Sequence, residues 1–271
     1  QQYLESWQIP EGKEINFRLF EQWFSRHAQY LKIKEPYRVY EEFKGVLTGS
    51  PLYTAFLSRE EYLSLGIKQS IFSADKREEV YGLFTKYLQW MKENKLYDTN
   101  MLSFEYLQQV KPRYDYVMID EVQDITGIQL KCIMQSLSNP SHFLLTGDSN
   151  QIVHPNFFSW SKIKTYLYQH KTDSKQVQIL QTNYRNSPEV VTLSNKLLKI
   201  KNHRFGSIDK ESNYLINTIS AEKGEVLLMQ DNEKVKAELN RKTQDSTRYA
   251  VIVADNSLKE YAKKYFKTPL I

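Results

Sequence analysis

The sequence has one cysteine, Cys132, and no long apolar run among its 271 residues. A single thiol excludes a disulfide within the chain, and five scattered histidines without Cys/His spacing argue against a structural zinc site. The longest apolar runs, such as 143–145 and 251–254, are far shorter than the roughly 18 residues that cross a membrane, and no signal peptide is apparent. We therefore expect a cytoplasmic protein that makes no contact with a membrane.

Neither sign of charge dominates, since the formal net charge is +5 and the isoelectric point is about 8.9. This small basic excess fits a nucleic-acid binder, but it is also common in proteins that bind no nucleic acid. Apolar residues make up 41% of the chain and charged residues 25%, which is typical of a globular protein.

Helical periodicity dominates residues 1–98. Apolar and aromatic side chains recur at three- and four-residue steps over 17–27 and 80–91, which predicts two amphipathic helices. A further helix is expected from about Tyr37, and Ser58 with Glu61 three residues later predicts a capping box that opens a short helix.

After residue 98 the pattern predicts helices alternating with strands. The strands are expected at 115–120, 143–146, 177–180, 225–229 and 249–253, and the helices at 100–110, 128–137, 160–168, 187–199, 231–242 and 257–266. Such alternation is typical of an α/β fold with parallel sheets and right-handed crossovers.

The first chemically suggestive feature is the acidic segment Asp120–Asp124, which follows the apolar run 116–119. A strand that ends in adjacent carboxylates delivers them to the crevice where ligands bind in open α/β folds. One carboxylate can hold Mg²⁺ through water, and its neighbour can polarise a water that attacks a phosphate. The simpler alternative is a solvated turn after a strand.

Two more strand ends carry polar groups. The Gly-Asp segment Thr146–Gln151 follows a second apolar run about 27 residues later, and its glutamine amide can contact both a phosphate oxygen and a water. Farther along, Tyr184 and Arg185 precede a helix start at Ser187-Pro188, so they are expected in a turn that faces the crevice. An arginine there can stabilise a transferring phosphoryl group, and a tyrosine can stack on a base.

In this order and spacing, Asp-Glu-x-Gln-Asp, Gly-Asp-x-x-Gln and Asn-Tyr-Arg resemble motifs II, III and IV of the UvrD/Rep branch of superfamily 1 helicases. The resemblance implies the P-loop NTPase (RecA-like) fold with a helical insertion. Residues 1–98 would form a 1B-like helical subdomain, 99–181 the remainder of RecA-like domain 1A, and 182–271 the start of RecA-like domain 2A. The regions 42–45 and 58–63 also resemble the helicase-like segment of large TPR- and ankyrin-repeat-containing proteins.

The resemblance implies ATP and Mg²⁺ as cofactors, single-stranded or partly duplex DNA as the partner, and a cytoplasmic or nucleoid-associated location. The sequence does not specify the oligomeric state, and we expect a monomer. By this resemblance, Mg²⁺ would be held by Asp120 and Glu121. Catalysis would use Glu121 as base, Gln151 as γ-phosphate sensor and Arg185 as arginine finger. The nucleotide would be contacted by Asp120, Gln123, Asp124 and Tyr184.

The chain departs from the family pattern at two places. A tryptophan commonly follows the motif III glutamine by five residues and stacks on DNA, but this chain has Asn156 there; Phe157, Phe158 or Trp160 are candidates for that role, with core packing as the alternative. No Gly-Lys-Ser/Thr loop is present, because Gly12-Lys13 is followed by Glu14, and the later motifs V and VI are missing as well. We therefore expect a central part of a helicase that by itself neither hydrolyses ATP nor unwinds DNA.

Two other functions stay open on sequence grounds. One is a helicase-like module that has lost catalysis and binds nucleic acid or protein within a larger chain. The other is a metal-dependent nuclease that uses the acidic groups Asp120, Glu121, Asp124 and Asp148; it is disfavoured because no lysine-bearing carboxylate motif accompanies them.

Overall fold

A computed structural model describes residues 12–27, 33–51, 53–151, 160, 163–164, 177–206, 213–254 and 256–268. The chain divides into two compact units. The first unit contains Gln1–Gln181 with Leu198–Leu215, and the second contains Thr182–Leu197 with Ile216–Ile271. Helices predominate and the strands are short and parallel, which confirms the mixed α/β architecture.

The helical part of the first unit (residues 12–98) agrees with the periodicity of its sequence. Its helices are α1 (Phe17–His27), α2 (Pro36–Glu41) continued by a π-helical turn (Glu42–Leu47), α3 (Arg59–Leu63), a 3₁₀ turn (Ile67–Gln69) and α4 (Ala74–Asn94). The capping box predicted for α3 forms, with the Ser58 amide donating to Glu61 Oε2 at 2.7 Å and the Glu61 amide donating to Ser58 Oγ at 3.3 Å.

Aromatic rings make the core of this helical part. Phe43 on the π-helical turn lies 5.7 Å from Phe20 on α1, and 5.0 Å and 5.1 Å from Phe84 and Tyr87 on α4, measured between ring centroids. All four are at most 1% exposed. Edge-to-face and tilted pairs of this kind add about 0.5–1.5 kcal/mol each beyond the burial of their surface.

Two buried charged groups fix the loop between α3 and α4. The Glu42 carboxylate accepts hydrogen bonds from Tyr62 Oη at 2.7 Å, from the Ile71 amide at 2.9 Å and from Ser70 Oγ. The Arg77 guanidinium donates to backbone carbonyls of this loop, including that of Gly66 at 3.0 Å. Because both groups are at most 2% exposed, these bonds replace the water that each would lose on burial.

The rest of the first unit carries the predicted acidic and Gly-Asp segments. Its elements are α5 (Thr99–Leu107), β1 (Val117–Ile119), a 3₁₀ turn (Val122–Asp124), α6 (Gly127–Gln135) and β2 (Phe143–Leu145). Strands β1 and β2 are parallel, with Ile119 opposite Leu145. A small core of Ile119, Val122, Met134, Leu137 and Ile163 lies beneath them.

A buried polar node joins the helical part to this sheet region. Asp98, 1% exposed, caps α5 and forms an ion pair of 2.9 Å with Lys44 Nζ. Asn100 Nδ2 donates to the carbonyl of Lys44 at 2.8 Å and to Thr48 Oγ1 at 3.1 Å, while its Oδ1 accepts from Thr126 Oγ1 at 2.8 Å. Since Thr126 precedes α6 and follows Asp124 by two residues, the node positions the chain directly after the acidic segment.

The second unit contains β3 (Thr182–Asn183), paired in parallel with β4 (Asn217–Thr218), together with α8 (Glu233–Thr243) and α9 (Asn256–Lys263). Helix α7 (Pro188–Phe205) begins in this unit, and its last residues belong to the first unit. The Asn232 side chain caps α8 by accepting from the Val235 amide at 3.0 Å.

Two predicted strands, 177–180 and 225–229, are wrong, because neither segment contains a strand in the structure and β3 begins after the first of them. The predicted strand 249–253 is reduced to a single bridge residue, Val251. Apolar runs predict burial, but a strand also needs a neighbour to pair with, and Leu227 and Leu228 are 63% and 104% exposed. The predicted helix at 160–168 lies mostly outside the described residues. Within the described ranges, no helix combines the length and apolar character that a membrane span requires.

Candidate functional site

Asp120 stands at the carboxyl end of β1, where the strand passes into the acidic segment. Its Oδ1 accepts hydrogen bonds from Thr146 Oγ1, at the end of the neighbouring β2, and from the Glu121 amide at 3.0 Å. The hydrogen bond from Thr146, followed by that from the Glu121 amide, lowers the pKa of the exposed Asp120 carboxyl below its usual value. The side chain is therefore held as a carboxylate, the form that binds Mg²⁺.

Glu121 adopts a left-handed backbone conformation, with φ 52° and ψ 44°. Non-glycine residues seldom occupy this region, and such conformations cluster at functional sites. The Val122 amide donates to the Thr146 carbonyl at 2.9 Å and the Thr146 amide to the Ile119 carbonyl at 2.8 Å, so both sides of Glu121 are fixed to β2. The sharp turn leaves the Glu121 side chain exposed beside Asp120.

Gln123 connects the acidic segment to the Gly-Asp segment. Its side chain is 2% exposed; Nε2 donates to Glu121 Oε2 at 2.6 Å, and Oε1 accepts from the Asp148 amide at 3.0 Å. One buried amide thus orients the Glu121 carboxylate and fixes the backbone of Asp148. A hydrogen bond to a charged acceptor contributes about 1.5–3 kcal/mol.

A glycine is needed at position 147 because two segments of the chain lie very close together there, and not because the backbone has an unusual angle. A Cβ at this position would lie 2.5 Å from Gln123 Oε1 and 2.9 Å from Val122 Cγ1, well inside normal contact distances. Gly147 does not have a positive φ angle; among the described glycines, Gly12 and Gly206 do. The absence of a side chain therefore lets the two segments meet.

Asp148 and Gln151 form a compact turn after β2. The Gln151 amide donates to the Asp148 carbonyl at 3.0 Å, and Gln151 Nε2 donates to Asp148 Oδ2 at 3.1 Å. The Asn150 amide donates to Asp148 Oδ1 at 2.8 Å. Gln151 is exposed, so its amide can exchange the aspartate for a ligand oxygen without leaving a buried group unpaired.

Tyr184 and Arg185 belong to the second unit and lie in the turn between β3 and α7. The turn is built by Asn183, whose Oδ1 accepts from the amides of Arg185 at 2.9 Å and Asn186 at 2.7 Å. Tyr184 is 75% exposed, so its ring is accessible for stacking.

The predicted nucleic-acid residues are only partly described. Trp160 is helical and packs, partly buried, against the small core beneath β1 and β2. Phe157 and Phe158 lie outside the described residues. The stacking role of these three aromatic residues stays a prediction.

The sequence interpretation missed two residues that shape the site, Thr146 and Asn100. Thr146 is the hydroxyl residue directly after the second apolar run, a position adjacent to the first strand end in a parallel sheet. Asn100 carries no comparable pattern, because its partners Lys44, Thr48 and Thr126 are distant in sequence.

Asp120 and Glu121 fit a magnesium ion of the kind found with nucleotides. Mg²⁺ is usually held by one or two carboxylates together with waters and phosphate oxygens. Across the described ranges, no group of three or more His, Cys, Asp or Glu side chains could hold a metal ion by itself. The nuclease alternative, which needs Asp124 and Asp148 to join them, therefore lacks support from the geometry.

Together, two parallel strand ends present carboxylates and a glutamine and are joined by a buried amide, at the edge of a sheet where open α/β proteins commonly bind ligands. Residues 52–174 match the family model of the UvrD/REP helicase N-terminal domain, and this range contains both segments. The resemblance to UvrD/Rep helicases is thus confirmed, as a similarity over this part of the chain.

Several curated proteins are similar to the chain over part of its length. A probable DNA helicase II homolog of Mycoplasma capricolum is 34% identical over 104 residues, which is 37% of this chain and 14% of the relative. The ATP-dependent DNA helicase Rep of Buchnera aphidicola is 28% identical over 167 residues, which is 58% of this chain and 23% of the relative.

Human TPR and ankyrin repeat-containing protein 1 is 24% identical over 197 residues, which is 63% of this chain and 6% of the relative. This match agrees with the second resemblance noted in the sequence. The chain spans less than a quarter of the length of each of these three relatives.

Proposed function

We propose that the chain is part of an ATP-dependent DNA helicase or translocase of the UvrD/Rep type, which couples ATP hydrolysis to movement on single-stranded DNA. The observation that carries this proposal is the Gln123 bridge, which joins two carboxylate-bearing strand ends within the family match. In this proposal, residues 99–181 belong to RecA-like domain 1A, 182–271 begin domain 2A, and 1–98 form the helical insertion. The parent protein acts as a monomer.

Each side chain at the strand ends has a separate role in this proposal. ATP with Mg²⁺ supplies the phosphoanhydride that water cleaves. Asp120, held ionised by Thr146, binds the metal, and Glu121 accepts the proton of the attacking water. Gln123 keeps the Glu121 carboxylate in place, as a general base must lie within hydrogen-bond reach of its water.

The remaining residues respond to the nucleotide. Gln151 exchanges its hydrogen bond with Asp148 for one to the terminal phosphate, which links phosphate release to a change in the turn after β2. Tyr184 stacks on adenine, and Arg185 stabilises charge on the transferring phosphoryl group. Asp124, directly after Gln123, helps to connect the nucleotide site to the neighbouring segments.

Glu121→Gln in the full-length parent protein tests this function. DNA-stimulated ATP hydrolysis should fall about 10²–10⁴-fold, because the amide cannot accept the proton, while binding of labelled ATP is retained. The matched control is Glu105→Gln, an exposed residue on α5, which should leave the rate unchanged. Retention of the full rate in Glu121→Gln would overturn the assignment.

The 271-residue chain should bind nucleotide weakly and show no ATP turnover, because its sequence has no Gly-Lys-Ser/Thr loop to cradle the phosphates. Phosphate release measured with and without single-stranded DNA checks this expectation. DNA-stimulated turnover that disappears in Glu121→Gln would contradict it.

A second candidate is a helicase-like module that binds nucleic acid or protein without hydrolysis. Its support is the similarity, over 63% of this chain, to TPR and ankyrin repeat-containing protein 1, which is named for its repeats and not for a helicase activity. The parent protein would then bind DNA or a protein partner while both wild type and Glu121→Gln show no ATP turnover.

A further inference from the structure

A cleft of about 500 Å³ opens in the helical part of the first unit, between the residues preceding α1, one side of α1 and the end of α4. Ligand sites in proteins commonly measure about 300–1,000 Å³. None of its lining residues belongs to the acidic or Gly-Asp segments, so the cleft and the candidate ATP site share no residue.

The formal charges on the lining of this cleft are all positive. Lys13 and Arg26 line it, both are exposed, and no aspartate or glutamate is among the lining residues. In the part of the chain that the structure describes, neither cation has an ion-pair or hydrogen-bond partner. The cleft therefore favours an anionic ligand.

Three flat rings form a stack along the same cleft. Trp23 lies between His27, at 5.0 Å, and Trp90, at 5.5 Å, each with an interplanar angle of 25°. His27 Nδ1 lies 2.9 Å from the Trp23 carbonyl, and since a carbonyl can only accept, Nδ1 carries the hydrogen. This bond fixes the imidazole plane, and the exposed His27 ring ends the stack next to Arg26 in sequence.

Trp23 adds an unused donor. It is 3% exposed, and its indole Nε1 has no acceptor among the described residues. A buried N–H without a partner is unfavourable, and native structures usually provide one. A ligand that brings an acceptor to Nε1 would relieve this cost.

We propose that this cleft binds one nucleotide unit of single-stranded nucleic acid, with its phosphate at Lys13 and Arg26 and its base on the His27–Trp23–Trp90 stack. Cations beside stacked aromatic rings are the usual means of holding single strands without sequence preference. An acidic peptide would use the cations but not the flat rings. The class of partner rests on the proposed function, whereas binding here requires neither ATP nor Mg²⁺.

The test uses the 271-residue chain and a fluorescein-labelled oligothymidine of about ten nucleotides, a length within the range bound by single-strand sites. Fluorescence anisotropy without ATP or Mg²⁺ gives the affinity at several salt concentrations. Arg26→Glu should weaken binding on the order of ten-fold and reduce the slope of log affinity against log salt by about 0.7, the value for one lost phosphate contact on a single strand.

Arg18→Glu is the matched control, because Arg18 is an exposed arginine on the same helix that does not line the cleft. It should change the affinity less than about two-fold. His27→Ala should weaken binding about five-fold or more at every salt concentration with an unchanged slope, because stacking is not electrostatic. If His27→Ala fails to fold, the comparison of the two arginine variants still decides.

Equal losses for Arg26→Glu and Arg18→Glu would overturn the proposal, as they would show diffuse electrostatic attraction. Displacement of the oligothymidine by thymidine monophosphate at the same nucleotide concentration would assign the cleft to a free nucleotide instead. Displacement by polyglutamate of equal length would assign it to an acidic polypeptide. A failed ATPase test with Glu121→Gln would leave these results unchanged, so the two proposals fail separately.

Discussion

Replacing Gly147 by alanine should destabilise the first unit, because the two strand-end segments meet at this residue without space for a methyl group. The new Cβ would lie 2.5 Å from Gln123 Oε1, 2.9 Å from Val122 Cγ1 and 3.2 Å from the Val122 amide nitrogen. The last of these atoms belongs to the backbone, which is itself bonded to the Thr146 carbonyl. The clash therefore cannot be relieved by rotation of one side chain.

The size of the effect follows from what must move. Overpacking of this kind costs about 1–3 kcal/mol. Displacing Gln123 also disturbs its hydrogen bonds to Glu121 and to the Asp148 amide, each of which contributes about 1 kcal/mol or more. We expect Gly147→Ala to lower the free energy of unfolding by about 2–4 kcal/mol.

Urea denaturation followed by tryptophan fluorescence measures this change. The four tryptophans at positions 7, 23, 90 and 160 all belong to the first unit, so the signal reports on the unit that contains Gly147. Gly82→Ala is the matched control, since Gly82 is an exposed residue within α4 whose added Cβ would meet no atom within 4 Å. It should stabilise the unit by about 0.5–1 kcal/mol.

An unfolding free energy for Gly147→Ala within about 0.5 kcal/mol of wild type would refute this reasoning, because changes of that size are typical of surface sites. A second comparison isolates the side chain of Gln123. If the clash is with this amide, Gly147→Ala should cost less in a Gln123→Ala background, with a coupling energy of about 1 kcal/mol or more.

Two further predictions concern the buried polar groups of the first unit. Burial raises the pKa of the Glu42 carboxyl, so its stabilising contribution is present below the usual value of about 4.5 and is lost as pH rises through the raised pKa. In Glu42→Gln, the unfolding free energy should therefore fall less steeply as pH rises above about 4.5. A pH dependence equal to that of wild type would contradict the raised pKa of Glu42. Asn100→Ala leaves the Lys44 carbonyl and Thr126 hydroxyl without their partner and should cost about 2–4 kcal/mol in urea denaturation. Gln108→Ala, at the exposed C-cap of the same helix, should cost less than about 0.5 kcal/mol.

Local patterns were sufficient for most helices and for the two strands that carry the acidic and Gly-Asp segments. Three- and four-residue steps of aromatic residues predict α1 and α4, because one face of each helix must be buried. The Ser58 capping box is likewise a local arrangement of four residues, so the sequence predicts it directly. The predicted strand at 225–229 failed because a strand is stabilised by a neighbour that the local sequence does not specify.

The sequence alone determined which strand ends carry carboxylates and a glutamine, since these residues directly follow apolar runs, and it determined the relation to UvrD/Rep helicases through the spacing of those residues. Tertiary structure decided how they meet. The left-handed backbone at Glu121, the bridge made by Gln123 and the space left by Gly147 all depend on contacts between β1 and β2 across more than twenty residues. The cleft between α1 and α4 arose in the same way, because side-chain stacking depends on distances between helices that no local pattern encodes.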